Sequence, residues 1–419
     1  MKHLKNLNLI LSMLIVFGLA SSCRKDNITG MPIPGKGAPT ISSVHTLSKT
    51  DTTAVTRVVT TYNSSGVAST TIVGAPAKIS AFDSTTVSGV YNNYYVLYGT
   101  NLASTTKILI NGVSIYFNRG LISDNSLIFS IPTTVPYLQP QSNTIQVITL
   151  NGSVTYGFTT LPPTPAIASV SDYNFSGGSQ ITLTGQGFVA VTAVTLQATK
   201  EAVTIVSKTD NQLVIKMPSS TTNRSVLSFA YTSGTKMLNV NSTIEFVNID
   251  KAYAIFANGN FQNNWQDNSY AQPAGPSASA PSITGKGSIV ASYPAGGYKV
   301  EGEANYYPSF AYDPSYKYLT FWIKGGTVNH TLFLVGDQLP GGFGNSLTST
   351  TATPAQIVVV PANVWTYYKI PLGTGAKMLA FWGTNPTTAT LAKQLGFFLR
   401  GSSGDVNETM YVDEILFVK

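Results

Sequence analysis

The sequence predicts an all-β protein: two small β-sandwiches in tandem, followed by a larger, jelly-roll-like sandwich. Three observations predict it. The 419 residues are 43% hydrophobic but only 10% charged, far below the roughly 25% of ordinary globular domains. Thr, Ser, Val, Tyr, Asn and Gly dominate, in short apolar runs bounded by Gly, Asn, Pro and Ser, the pattern of strands and tight turns. One set of strand-like segments also recurs at a constant spacing. The length fits about three domains.

The first 22 residues read as an export signal. Lys2, His3 and Lys5 give a positive start, Leu9 to Ala20 is almost unbroken apolar, and Ala20, Ser21 and Ser22 precede Cys23. The run is too short for a stable span. Cys23 is the only cysteine, so no disulfide is expected. The ending LASSC resembles a bacterial lipobox, which implies cleavage before Cys23 and diacylglycerol on its sulfur. The following Arg24-Lys25-Asp26-Asn27 resembles the short charged tag of surface-directed lipoproteins in Bacteroidetes. Residues 23–37, rich in Gly, Pro and polar side chains, are expected to form a lipidated, flexible tether.

The repeat defines the next two domains. DNSLIFSIP (124–132) matches DNQLVIKMP (210–218) at an offset of 86, and YGTNL (98–102) falls on TGQGF (184–188) at the same offset. Ile108 and Ile110 likewise fall on Val194 and Leu196. One offset across three segments, without a gap, marks two copies of one unit, here 38–162 and 163–249. LPPTPAI (161–167) is the hinge, stiffened by its prolines. Gly99 and Gly185 are expected where a side chain would obstruct a neighbouring backbone. About 35 extra residues (48–85) in the first copy read as an inserted hairpin. The paired openings APTISSV and TPAIASV, the YVLYGTNL/ITLTGQGF strands and the IP/MP strand ends resemble the IPT/TIG immunoglobulin-like fold. Such domains are usually spacers or interaction modules, and fold alone assigns no function.

Residues 250–419 differ. They hold all four tryptophans and 26 aromatic residues, against 19 in the preceding 249. Strand candidates are YKVEGEA, YLTFWIKG, TLFLVGDQL, QIVVVP, WTYYKIPL, KMLAFWGT, QLGFFLRG and TMYVDEILFV. Ten acids balance ten bases. No basic stripe is present to track a phosphate backbone, which argues against nucleic acid and for a neutral partner.

Catalytic chemistry finds little to work with. The three histidines, His3, His45 and His330, are scattered, and no nucleophile–base set, phosphate loop or metal spacing is present. His330 reads as structural. Glu301 and Glu303 share a strand face about 7 Å apart, a poor geometry for flanking a sugar, and read as a solvated face. A calcium ion of the kind sandwich modules hold with Asp and backbone oxygens would use Asp413. The sequence itself shows no metal site.

Binding chemistry fits better. A flat ring offers an apolar face to the C–H side of a sugar, and Asn, Gln and Asp offer hydrogen bonds to its hydroxyls. Trp265 lies in the polar run NGNFQNNWQDNSYAQP, with little apolar sequence to bury into. Tyr306 and Tyr307 precede a proline, Trp382 ends KMLAFW, and Trp322 shares a face with Tyr318 and Thr320. These five are the candidate platform, with Tyr270 and Tyr312 as weaker candidates and Trp365 as a core residue. The whole layout resembles the surface glycan-binding lipoproteins of Bacteroidetes polysaccharide-utilisation systems, in particular those binding xyloglucan or another β-glucan. The resemblance implies a non-catalytic protein, lipid-anchored in the outer membrane beside a TonB-dependent transporter. It places the platform at Trp265, Tyr306 and Tyr307. The alternatives are a surface adhesin acting through its immunoglobulin-like domains and, third, a glycoside hydrolase using Glu301 or Glu303.

Overall fold

The computed structural model describes residues 35–419, apart from 52–55, 63–67, 75–77, 271–273, 297, 345–346, 387–389 and 402–404. Cys23 and the export signal lie outside the described residues. Every described element is a strand or a short 3₁₀ turn, as the composition predicts. The chain divides into two compact units: residues up to 57 with 74–161, and 58–73 with 162–419.

The repeat maps onto the structure without a gap. Adding 86 to strands Tyr94–Thr100, Thr105–Ile110 and Ser126–Ser130 gives Gln180–Gln186, Val191–Leu196 and Gln212–Lys216, each an observed strand. Inward positions match as well: Leu97 with Leu183, Ile108 with Val194, Leu127 with Leu213, all buried. Each copy has its own core, one around Tyr95, Phe129 and Phe158, the other around Phe188, Phe229 and Phe246. The insert contains the expected hairpin, Thr56–Tyr62 with Ala68–Gly74.

Gly99 and Gly185 have a specific job in this repeat. Each faces a bulge in the opening strand, where the register shifts between Ile41 and Ser43 or between Ile167 and Ser169. The bulge drives a carbonyl into the space a side chain would fill. A Cβ would lie 1.9 Å from the Thr40 oxygen at Gly99, and 2.0 Å from the Ala166 oxygen at Gly185.

The C-terminal sandwich packs two sheets around a core that includes Phe256, Phe321, Phe397 and Phe417. One sheet carries the long strand Glu408–Val418 between Tyr253–Ala257, Ser288–Tyr293 and Tyr318–Lys324, and Trp365–Pro371 extends it at the edge. The other runs Gln266–Asp267, Tyr298–Ala304, Gln394–Arg400, His330–Val335, Ile357–Val360. Seven of the eight expected strand segments contain one of these strands. KMLAFWGT does not. It is a turn with a single bridge from Leu379 to Leu372, because Gly373 and Gly383 take positive φ on either side and Phe381 and Trp382 tuck into the core.

The second small sandwich docks on the C-terminal one within the same unit. Val247, Leu416 and Val418 form an apolar seam with Ile249 and Tyr318. Asn174 donates to Glu414 (2.6 Å) and accepts from the Tyr367 hydroxyl (2.9 Å). Glu245 pairs with Arg224 at 3.2 Å and with Lys369.

Gly185→Ala is expected to destabilise the second small sandwich by about 2 kcal/mol or more, since backbone must move. Gly157→Ala, where nothing lies within 4 Å of an added Cβ, is expected to be near neutral. Calorimetric unfolding of the two variants checks this, and equal shifts would contradict the bulge argument.

Candidate functional site

The ring-lined surface of the C-terminal sandwich is built on one loop, 305–317, between Tyr298–Ala304 and Tyr318–Lys324. Its start is tied down by Asn305. That side chain donates to the Asn263 carbonyl (3.0 Å) and accepts from the Ser309 amide (3.3 Å), and its own amide reaches the Lys393 carbonyl (2.8 Å). Ser309 takes left-handed backbone (φ 69) and closes the turn by donating its hydroxyl to the Tyr306 carbonyl. The turn leaves Tyr307 89% exposed and Tyr306 44% exposed, with the Tyr306 hydroxyl accepting from Gln394 at 3.1 Å. Both sequence candidates therefore face outward.

Three residues after Tyr307, Phe310 turns inward and anchors the loop. It stacks on Tyr253 at 4.0 Å and meets Phe417 and Trp382 edge-on or tilted. The chain then emerges again with Tyr312 and Tyr316, both half-buried. They line a cavity of about 520 Å³ with Leu372, Met378, Trp382 and Asn385. Beside it Lys419 pairs with Asp313 at 3.2 Å and lies over the Tyr316 ring, and Lys317 in its wall donates to the Pro314 carbonyl at 2.7 Å. Apolar ring faces with amide and hydroxyl groups beside them suit a hydroxyl-rich ligand. Tyr316 escaped the sequence reading. Its spacing from Tyr312 across Asp313-Pro314 was the available signal.

Three of the expected platform tryptophans are buried, at 3 to 5% exposure. Trp265 turns inward because the asparagines around it are turn formers rather than a solvated shell. Asn258, Asn263 and Asn264 all take left-handed backbone, and Asn263 donates to the Ala254 carbonyl. The indole then donates to the Tyr253 hydroxyl at 3.1 Å and supports the Phe310 stack from within. Trp382 donates to the Phe310 carbonyl (3.0 Å), so it forms the base of the cavity rather than an open face. Trp322 is covered by Tyr173 of the neighbouring domain at 5.6 Å and by Tyr367 of its own sheet at 5.0 Å. Trp365, expected in the core, is the tryptophan left half-exposed. Tyr270 is exposed but sits apart, edge-on to Phe343.

The acid pair is also not where a solvated face would put it. Glu301 and Glu303 are fully buried and lie opposite Phe397 and Leu395, which face the core between the sheets. Their carboxyl oxygens are buried without a hydrogen-bond partner beyond each other. They line none of the described cavities and cannot meet a polymer. His330 clasps the buried Glu408 at 3.1 Å. Asp413, the carboxylate a calcium ion would use, accepts from the amides of Ile283 and Glu414. Among the described residues no group of three or more His, Cys, Asp or Glu is placed to hold a metal.

Residues 165–245 match the model of the IPT/TIG domain. They coincide with the second small sandwich. The chain is 31% identical over 134 residues to an IPT/TIG domain-containing protein of Bacteroides ovatus, a stretch covering 30% of this chain and 26% of that relative. The chain thus spans about a quarter of the relative it matches. Among solved structures it is similar to a surface glycan-binding protein from Prevotella bryantii, at 15% identity and a TM-score of 0.46 over 92% of this chain and 99% of the other. It is also similar to a protein from a complex xyloglucan utilization locus in Bacteroides uniformis, at 14% identity and a TM-score of 0.36 over 78% and 96%.

Burial of the acids has a consequence for stability. Burial pushes the Glu301 carboxyl up to about 8 from an ordinary 4.5. It also raises Glu303, with the Glu301 charge adding to the effect. At the domain joint, burial lifts Asp172 to about 7 and Asp413 to about 6. Each folded acid holds its proton more tightly than the unfolded one. Its contribution is complete below about pH 4.5 and fades as pH rises toward 8. The C-terminal sandwich is therefore expected to melt at progressively lower temperature from pH 5 to pH 8. Glu303→Gln should flatten that slope in calorimetric scans, and an unchanged slope would contradict the buried pair.

Proposed function

We propose that the chain is a non-catalytic surface lipoprotein that captures a neutral β-linked glucan, of the xyloglucan or mixed-linkage type, through the tyrosine ledge of its C-terminal sandwich. The observation that carries this reading is the single anchored loop that exposes Tyr306 and Tyr307 and walls a cavity with Tyr312 and Tyr316. Rigid tyrosines present area at low entropic loss, which suits capture of a flexible polymer. The absence of catalysis is supported by the position of the acid pair between the sheets, out of a polymer's reach. Anchoring through Cys23 in the outer membrane, with the IPT/TIG-like domains as spacers beside a TonB-dependent transporter, completes the proposal. It draws on the LASSC sequence and the tandem repeat.

Affinity electrophoresis of the full chain in gels containing xyloglucan or mixed-linkage glucan tests it. Retardation by at least one polymer is expected, weakened about tenfold in Tyr307→Ala or Tyr312→Ala, the scale of a lost anchor ring. Migration unaffected by either polymer would overturn the reading. A labelled-palmitate incorporation assay in the producing bacterium checks the anchor: label is expected in the native chain and absent in Cys23→Ala.

A further inference from the structure

A second cavity, of about 650 Å³, opens where the IPT/TIG-like domain meets the C-terminal sandwich, inside one compact unit. Trp365 lines it. This indole opens the edge strand Trp365–Pro371, which pairs with Tyr318–Lys324 on one side only. Along that strand Tyr368 and Ile370 pack on the sandwich core, while Trp365, Tyr367 and Lys369 alternate onto the face that lines the cleft. The Trp265 and Trp382 indoles donate to protein acceptors, and Trp322, also in the cleft wall, is only 5% exposed beside Tyr173. Among the described residues the Trp365 ring belongs to no core cluster, stacks on no other ring, and its N–H has no protein acceptor. A half-exposed indole in a roomy cleft, without a partner, is a place for a ligand.

The surroundings specify its chemistry. The cleft is held open by fixed contacts: Tyr367 to Asn174, Asn174 to Glu414, and Glu245 between Arg224 and Lys369. The charged residues in its wall, Lys369 and Glu245, balance each other, and Arg224 beside the cleft shares the same carboxylate. The Ser169 and Thr243 hydroxyls line or flank the cleft and make no hydrogen bond within the protein among the described residues. One free indole face, two free hydroxyls and a carboxylate acceptor match a sugar ring with its C–H face and hydroxyl rim.

We propose that this cleft is a second carbohydrate subsite, in which the Trp365 indole stacks on a sugar ring while Ser169, Thr243 and Glu245 hold its hydroxyls. The proposal rests on the reading that the chain binds a neutral glucan. It adds that the polymer is gripped at two places, the tyrosine ledge and the domain joint.

Acrylamide quenching of tryptophan fluorescence in the full chain tests it, with xyloglucan and mixed-linkage glucan as probes. Trp365 is the accessible indole, so a bound glucan is expected to reduce quenching, and Trp365→Phe should abolish that change. Trp365→Ala should weaken retention in the polymer gel about tenfold. The quenching result on the native chain stands even if the alanine variant folds poorly. If the native chain is retarded and Tyr307→Ala is not, while quenching stays unchanged by glucan and Trp365→Ala binds normally, the subsite is overturned and glucan binding stands. If neither polymer retards the native chain, both readings fall.

Discussion

The arrangement of the C-terminal sandwich depends on the anchoring of Phe310. Its ring is stacked on Tyr253 at an interplanar angle of 5° and flanked by Phe417 and Trp382, and its carbonyl accepts the Trp382 indole N–H. Side chain and main chain of one residue are thus both engaged. Aromatic pairs of this kind contribute about 0.5 to 1.5 kcal/mol each beyond the area they bury. The stack fixes the middle of the 305–317 loop, and that forces its two limbs outward. The exposed tyrosines follow from the buried phenylalanine, and the buried tryptophans follow too, because Trp265 and Trp382 complete the stack through their N–H groups.

The same logic governs the domain joint. Trp322 is on the outward face of its strand, and an isolated sandwich would leave it open. Tyr173 from the neighbouring domain closes it, stacked on Tyr367 at 4.7 Å. Trp365, five residues before Ile370 on the adjoining edge strand, is left beside that closure rather than under it. The joint is therefore both a rigid connection and the wall of a cleft.

The sequence made the repeat, the all-β class and most strands legible, because these rest on local pattern. The offset of 86 carries Gly99 onto Gly185, and both meet a bulge carbonyl. Tyr306 and Tyr307 were also legible, since a Tyr-Tyr-Pro loop leaves rings outside. Tertiary facts were not legible. The polar run around Trp265 looked wet, yet its asparagines serve left-handed turns that fold the ring inward. Trp322 and Trp365 exchanged their expected roles because domain docking, which no local pattern encodes, decides which ring is covered. KMLAFWGT alternated too little to be a strand and instead closes a turn over Phe310. Glu301 and Glu303 defied the rule that acids face water: their strand turns that face toward Phe397, and the acids keep their protons there.

The most direct test of the central claim is fluorine NMR of the full chain labelled with 3-fluorotyrosine, titrated with a xyloglucan oligosaccharide and assigned by single Tyr→Phe variants. Resonances of Tyr306, Tyr307, Tyr312 and Tyr316 should shift together and saturate at one ligand concentration, while that of the core residue Tyr293 stays in place. Shifts confined to tyrosines outside the 305–317 loop, or no shift at any ligand concentration, would contradict the account.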